Sequence, residues 1–209
     1  MLIVALTGGI ATGKSVVAKI LQELGCCIHP ADRVAHELME PEQPAWKKIV
    51  AHFGTKILNA DKTINRTKLG AIVFRDEKER LYLNRLIHPL VLEEKKEVIA
   101  KLQKEGRYKI FISEAALTLE AGFVRFFDKI IVVFCRPGIQ VQRLMERDRI
   151  SREEALRKIK AQMPMKEKLK FADYIIDTSG SFPETVEQTE RVFRQLRQDS
   201  DLKSRAEKS

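Results

Sequence analysis

Apolar positions along this chain alternate between two patterns. Short, nearly continuous apolar runs fall at residues 2–6, 26–29, 109–113, 129–134 and 174–176. Such runs are expected of strands covered on both faces in a parallel sheet. Longer stretches with helical patterning separate them. The alternation predicts an α/β fold with a mostly parallel five-stranded sheet flanked by helices.

About eighty residues separate the second run from the third, too many for one crossover helix. They read as helices over 44–53, 66–74, 77–87 and 89–104. Asn65 can cap the second of these, and Pro89 opens the last, where its missing N–H costs little. A helical insertion above the C-terminal edge of a sheet is a place to hold a second substrate. After the fourth run, residues 139–147 are helical in pattern. Ser151-Arg152-Glu153-Glu154 is a capping box for a further helix that Pro164 ends. Ser181 to Glu184 repeats that signature for a last helix reaching about residue 198, and the polar, sign-mixed residues 199–209 are expected to be disordered. The expected division is a core of 1–32, 107–135 and 171–198, a helical substrate domain of 33–106, and a basic helical lid of 136–170.

With 209 residues, 44% of them hydrophobic and 32% charged, the chain suits a soluble globular protein with a sizeable core. No apolar run is long enough to span a bilayer, and no basic segment precedes the N-terminal apolar stretch. The expectation is a cytoplasmic protein without a membrane partner. Cys26, Cys27 and Cys135 form no C-x-x-C pair and read as buried thiols. His29, His36, His52 and His88 lack metal-site spacing, so no zinc is assigned. The net charge of +9 is concentrated in residues 136–170, which hold eleven Lys or Arg against five Asp or Glu. A solvated helix surface, a nucleic-acid face and a site for a small polyanion all fit this excess. The near-absence of aromatic residues leaves base stacking poorly supplied, so no nucleic-acid partner is expected.

The chemistry starts at Gly8-Gly9-Ile10-Ala11-Thr12-Gly13-Lys14-Ser15, a complete G-x-x-x-x-G-K-[ST] loop between an apolar run and the helical stretch that opens with Val16. Its glycines let successive backbone N–H groups turn inward around a phosphate at the positive end of a helix. Lys14 reaches the outer phosphates of a nucleoside triphosphate, and the Ser15 hydroxyl ligates Mg²⁺. Asp32 follows the second strand. There it is either an N-cap or a carboxylate that accepts a proton from an attacking hydroxyl or positions Mg²⁺ through water.

These residues resemble the dephospho-coenzyme A kinases of the P-loop kinase superfamily. Residues 6–15 look like that family's phosphate loop, and Ala31-Asp32-Arg33-Val34-Ala35-His36 like its Asp-Ala-Asp segment. Asn65-Arg66-Thr67-Lys68-Leu69-Gly70 with Val73-Phe74 and Leu86-Ile87-His88-Pro89-Leu90-Val91 come next in the family's order. Leu119-Glu120-Ala121-Gly122, Arg143-Leu144-Met145-Glu146-Arg147-Asp148, Gln162-Met163-Pro164 and Ala172-Asp173-Tyr174-Ile175-Ile176-Asp177 complete the series over nearly the whole chain.

The resemblance implies a P-loop NTPase-type sheet with an inserted helical substrate domain and a helical lid. It also implies transfer of the ATP γ-phosphoryl group to the ribose 3′-hydroxyl of dephospho-coenzyme A. By the same resemblance, Asp32 is the base or hydroxyl-orienting carboxylate. Gly8, Gly9, Ala11, Thr12, Gly13, Lys14, Ser15 and Val16 hold ATP, and Ser15 holds Mg²⁺. His88 and the inserted helices contact the acceptor, and Arg143 and Arg147 meet phosphate oxygens. Each role has a plainer counterpart: His88 as a helix-entry residue, and Arg143 and Arg147 as surface partners of Glu146 and Asp148.

The chain departs from the family pattern at four places. Pro30 replaces the first Asp of Asp-Ala-Asp, and Glu114-Ala115-Ala116-Leu117-Thr118 replaces an acidic-Ile-Pro-Leu-Leu run. Lys158 replaces an Arg, and Thr178 replaces an Asn near the expected adenine contact at residues 178–180. A phosphate-loop GTPase is disfavoured because no N-K-x-D segment exists. The large insertion with His88-Pro89 argues against a nucleoside or nucleoside-monophosphate kinase.

Overall fold

A computed structural model describes residues 1–73 and 75–207. The chain divides into two compact units, one of Met1–Pro30 together with Ile99 onward, the other of Ala31–Val98.

The first unit is built on a five-stranded sheet in the order β2-β3-β1-β4-β5. Its strands are β1 (Leu2–Gly8), β2 (Cys27–Pro30), β3 (Ile110–Glu114), β4 (Lys129–Phe134) and β5 (Tyr174–Asp177). Every pairing is parallel: Leu2 lies beside Ile110, Val4 beside Lys129, Cys27 beside Phe111 and Ile131 beside Tyr174. All strand C-termini therefore share one edge, where the loops after them can converge. Side chains alternate across the sheet. Val4, Leu6, Ile112 and Val133 face a core with Val17 and Leu21 of α1 (Lys14–Glu23) and Leu196 of α9 (Phe182–Ala206). Ala5, Ile130 and Val132 face a second core with Leu119 and Phe127. The near-continuous apolar strands follow from this double cover.

The second unit holds α2 (Ala31–Glu37), α3 (Pro44–Phe53), α4 (Arg66–Val73) and the greater part of α5 (Glu77–Glu105). These pack around Ala45, Ile49, Phe53, Ile57, Leu69 and Ile87. Asn65 does cap α4, its Oδ1 accepting the Lys68 N–H at 3.0 Å. The expected end of that helix at Phe74 lies outside the described residues.

Three expectations about helix ends are corrected. Residues 77–87 and 89–104 form not two helices but the single helix α5, with Pro89 in its interior. Pro89 is exposed, so the Arg85 carbonyl that loses its intrahelical partner can be solvated. The helix opened by Ser151, α7 (Arg152–Lys160), stops before Pro164. Pro164 instead starts the short α8 (Met165–Leu169), its carbonyl accepting the Glu167 and Lys168 N–H groups at 2.9 and 3.1 Å. Both capping boxes, at Ser151 and Ser181, form as expected.

The third correction concerns residues 199–209. Helix α9 continues to Ala206, and its last turns are tied to the sheet. Asp199 accepts the Tyr174 hydroxyl at 2.6 Å, Ser200 is buried and donates to the Lys109 carbonyl at 3.2 Å, and Lys203 meets Asp128 at 2.6 Å. Sign-mixed residues read as solvated because their partners lie far away in the chain. Residues 208–209 lie outside the described residues. Among the described residues, no helix is long and apolar enough to cross a membrane.

Deleting residues 199–209 is expected to destabilise the protein by about 2–4 kcal/mol in urea unfolding. The deletion leaves the Tyr174 hydroxyl without its partner and takes the Ser200 hydroxyl from the Lys109 carbonyl, which keeps the Leu2 N–H. A disordered tail would cost nothing.

Candidate active site

The loop after β1 is shaped by two left-handed residues, Ala11 at φ 58° and Gly13 at φ 87°. Alternation of right- and left-handed backbone turns successive N–H groups to one side, the form of an anion nest. Gly13 is also the N-cap of α1, whose first turn carries no acidic side chain, so the helix end is left electropositive. At Gly8 a Cβ would overlap the Val133 carbonyl of β4, so the loop can approach the sheet this closely only with glycine there. The Lys14 ammonium folds over the loop, 3.1 Å from the Gly9 carbonyl. The Ser15 hydroxyl donates to Glu114 Oε1 at 2.9 Å, joining the loop to the end of β3.

Later parts of the chain hold the loop from outside. Ile10 donates its N–H to Gln162 Oε1 at 2.7 Å, and its carbonyl accepts from Gln140 Nε2 at 2.8 Å. Gln140 belongs to α6 (Pro137–Asp148), and Gln162 to the link between α7 and α8. Thr178, just past β5, donates to the Thr12 carbonyl at 2.8 Å. Its hydroxyl also accepts from Arg143 at 3.0 Å, while the Thr178 carbonyl accepts a second guanidinium N–H at 2.8 Å. The Gln162 segment is itself anchored, since Glu120 Oε1 accepts the Met163 N–H at 3.0 Å and pairs with the Lys168 ammonium at 2.8 Å. Lys168 is fully buried and donates also to the Ala116 carbonyl at 2.7 Å.

A cavity of about 480 Å³ opens on the loop, lined by residues 11–16 and by Arg143, Arg147, Thr178 and Phe182 among others. Arg147 is exposed and bonds to Asp148 at 2.8 Å, and Asp148 takes Lys158 on its other oxygen at 2.8 Å. These two charged hydrogen bonds hold the Asp148 carboxyl down at about 2.

In the second unit, Asp32 sits exposed in the first turn of α2, two residues past the end of β2. Lys95 of α5 is buried there. Burial pulls its ammonium down to about 8, opposed by the charges of Glu94 and Asp32. His36 is lowered by burial and then by Arg66, with Asp32 and Glu40 acting the other way. His36 and Arg66 line a cavity of about 380 Å³ in this unit. His88 is half-buried within α5 and is not a helix-entry residue.

The structure thus brings residues 11–16, Arg143 and Arg147 to one cavity, leaves Gly8 and Gly9 outside its lining, and places Asp32 and His88 in the other unit. Sequence reasoning gave no role to Gln140, Gln162, Glu120, Lys168 or Lys95. Gln162 and Glu120 were visible only as parts of quoted segments, and a buried lysine inside a lysine-rich stretch gives no local sign of itself. Thr178 keeps a polar group where the family's Asn is replaced, and spends it on the loop and Arg143.

Two outcomes test this framework. Lys168→Met is expected to cost about 3–5 kcal/mol, because it strands the Glu120 carboxylate, and adding Glu120→Leu should recover part of the loss. Asp148 is held below its ordinary 3.8, so its contribution is whole above that value and is lost as pH falls through about 2. Asp148→Asn should flatten the stability profile between about pH 4 and pH 2 in acid unfolding.

The chain was compared with known proteins. The family model described as dephospho-CoA kinase matches residues 2–184. A dephospho-CoA kinase of Carboxydothermus hydrogenoformans is 46% identical over 186 residues, covering 89% of this chain and 90% of that protein. One from Halalkalibacterium halodurans is 41% identical, covering 90% and 92%. Among solved structures, dephospho-CoA kinase from Campylobacter jejuni superposes with a TM-score of 0.67 at 30% identity, covering 93% of this chain and 96% of that one. A Thermus thermophilus protein superposes with a TM-score of 0.79 at 27% identity, covering 93% and 97%. With the match running from β1 into the first turn of α9, the chain belongs to the dephospho-CoA kinase family.

Proposed function

We propose that this protein moves the γ-phosphoryl group of ATP to the 3′-hydroxyl of dephospho-coenzyme A, with the roles divided as follows. The observation that carries the reading is the single cavity shared by the phosphate loop, Arg143 and Arg147. Inward N–H groups and the α1 terminus bind the β- and γ-phosphates, and Lys14 swings from the Gly9 carbonyl to the outer phosphate oxygens. Phosphoryl transfer asks the protein for positioning and for cations where charge gathers. Arg143 and Arg147 supply those cations.

The Ser15 hydroxyl and Glu114 carboxylate are hard oxygen donors, suited to Mg²⁺, which completes its shell with phosphate and water. Ser15 would hold the ion and Glu114 orient its water, and the ion would supply positive charge that neutralises phosphate oxygens. Asp32 accepts the proton of the attacking 3′-hydroxyl, and the buried Lys95 steadies its charged form. His88 and the mixed polar and apolar cavity beside Arg66 receive the acceptor. The cationic helices of residues 136–170 act as a lid that closes on the triphosphate, and the compartment we assign is the cytoplasm.

The test is incubation of purified protein with ATP, Mg²⁺ and dephospho-coenzyme A, with product identified by mass. Coenzyme A is expected. Asp32→Asn should lower turnover at least ~100-fold while ATP still binds, the scale of a lost general base. Near-normal turnover would remove Asp32 from the chemistry. Arg147→Ala should lower kcat more than ATP affinity; a change in affinity alone would place it outside the transition state.

A further inference from the structure

Among the described residues, six large apolar side chains are markedly exposed, and Phe182 is the most exposed of them at 65%. Of the six, Phe182 and Val16 line the nucleotide cavity. Among the described residues, Phe182 is also the only aromatic one in that lining. Isolated exposed apolar residues need no explanation, but an aromatic ring on a ligand cavity already furnished with a phosphate loop does.

The backbone that carries the ring is fixed. Phe182 is the first helical residue of α9, after the N-cap Ser181 and before Pro183. The Ser181 N–H donates to Glu184 Oε2 at 2.6 Å, and Ser181 Oγ accepts the Glu184 N–H at 3.4 Å. One step earlier, the Ser179 N–H donates to Asp177 at 2.8 Å, and Ser179 Oγ accepts the Arg136 N–H at 2.8 Å. A ring in water on an immobilised backbone loses little conformational freedom when a flat partner covers it. Of the two guanidinium groups in the cavity, that of Arg143 is likewise pinned, by its two bonds to Thr178.

We infer that Phe182 is the stacking platform for the purine base of the triphosphate. The inference rests on the ATP reading above and adds the residue that recognises the base. The phosphate loop, Lys14 and the arginines bind charge and are indifferent to the heterocycle; its apolar faces need an apolar partner, and Phe182 supplies one. Because any base offers a π-face, this contact sets affinity and leaves the choice among bases to hydrogen-bonding groups elsewhere.

The experiment is calorimetric titration of the wild-type protein, Phe182→Ala and Phe182→Tyr with ATP and with inorganic tripolyphosphate, each with Mg²⁺. Tripolyphosphate carries the charges without the base. Phe182→Ala should weaken ATP binding roughly 5- to 100-fold, the range of base–aromatic stacking, and change tripolyphosphate binding by less than about twofold. Phe182→Tyr should restore ATP affinity. An unchanged ATP affinity in Phe182→Ala overturns the inference, as does an equal loss for both ligands, which would mark a disturbed loop. Wild-type protein that binds tripolyphosphate as tightly as ATP would also sink it while sparing the phosphate site. Wild-type protein that binds neither would instead sink the ATP reading on which it rests. At 65% exposure the side chain can be cut back without threatening the fold.

Discussion

Backbone N–H groups aimed at a phosphate cannot also donate to backbone carbonyls, so a phosphate loop has to be held open by something outside it. Here the props are side chains from later in the chain. Ile10 is held through its N–H by Gln162 and through its carbonyl by Gln140, and the Thr12 carbonyl is held by Thr178. Each prop has its own support: Gln162 through the Glu120–Lys168 pair, and Thr178 through the end of β5. The left-handed alanine at residue 11 sits inside this frame. The segment called a lid from its charge is, at its inner face, the scaffold of the loop.

That double use separates the two arginines of the cavity. Arg143 bonds to a hydroxyl and a carbonyl, groups without net charge, so its positive charge stays available to an anion. Arg147 bonds to the Asp148 carboxylate, which Lys158 shares. A phosphate drawing on Arg147 competes with Asp148, and Lys158 is positioned to keep that carboxylate satisfied when the arginine turns away. Lys158 stands where the family resemblance leads one to expect an arginine. The compact ammonium suffices for a single-point contact with Asp148, which needs no bidentate fork.

What was legible in the sequence was whatever is encoded locally. The strands of the sheet, the phosphate loop, the Asn65 cap and both capping boxes rest on neighbours a few residues apart, and they stand where local patterning put them. The failures share one cause, a distant partner. Pro89 reads as a helix start, yet α5 runs through it because packing in the second unit outweighs one missing hydrogen bond. Residues 199–206 read as a solvated tail because Tyr174, Lys109 and Asp128, to which they bond, are remote in sequence. Lys168 and Glu120 are separated by a strand and two helices, and no periodicity links them. Phe182 is a third kind of case, since its meaning depends on a cavity and not on its neighbours.

The strand order has a consequence for synthesis. β1 is made first but lies third in the sheet, between β3 and β4. Its partners, Ile110 for Leu2 and Lys129 for Val4, lie more than a hundred residues further along the chain. Meanwhile Ala31–Val98 is contiguous and carries its own apolar cluster, so the insertion has its contacts in hand while the apolar strand Leu2–Gly8 is still waiting. Non-local pairing of this kind is slow to form and leaves apolar strand edges open in the interval. The strand that leads into the phosphate loop thus spends that interval of synthesis with its apolar edges unpaired.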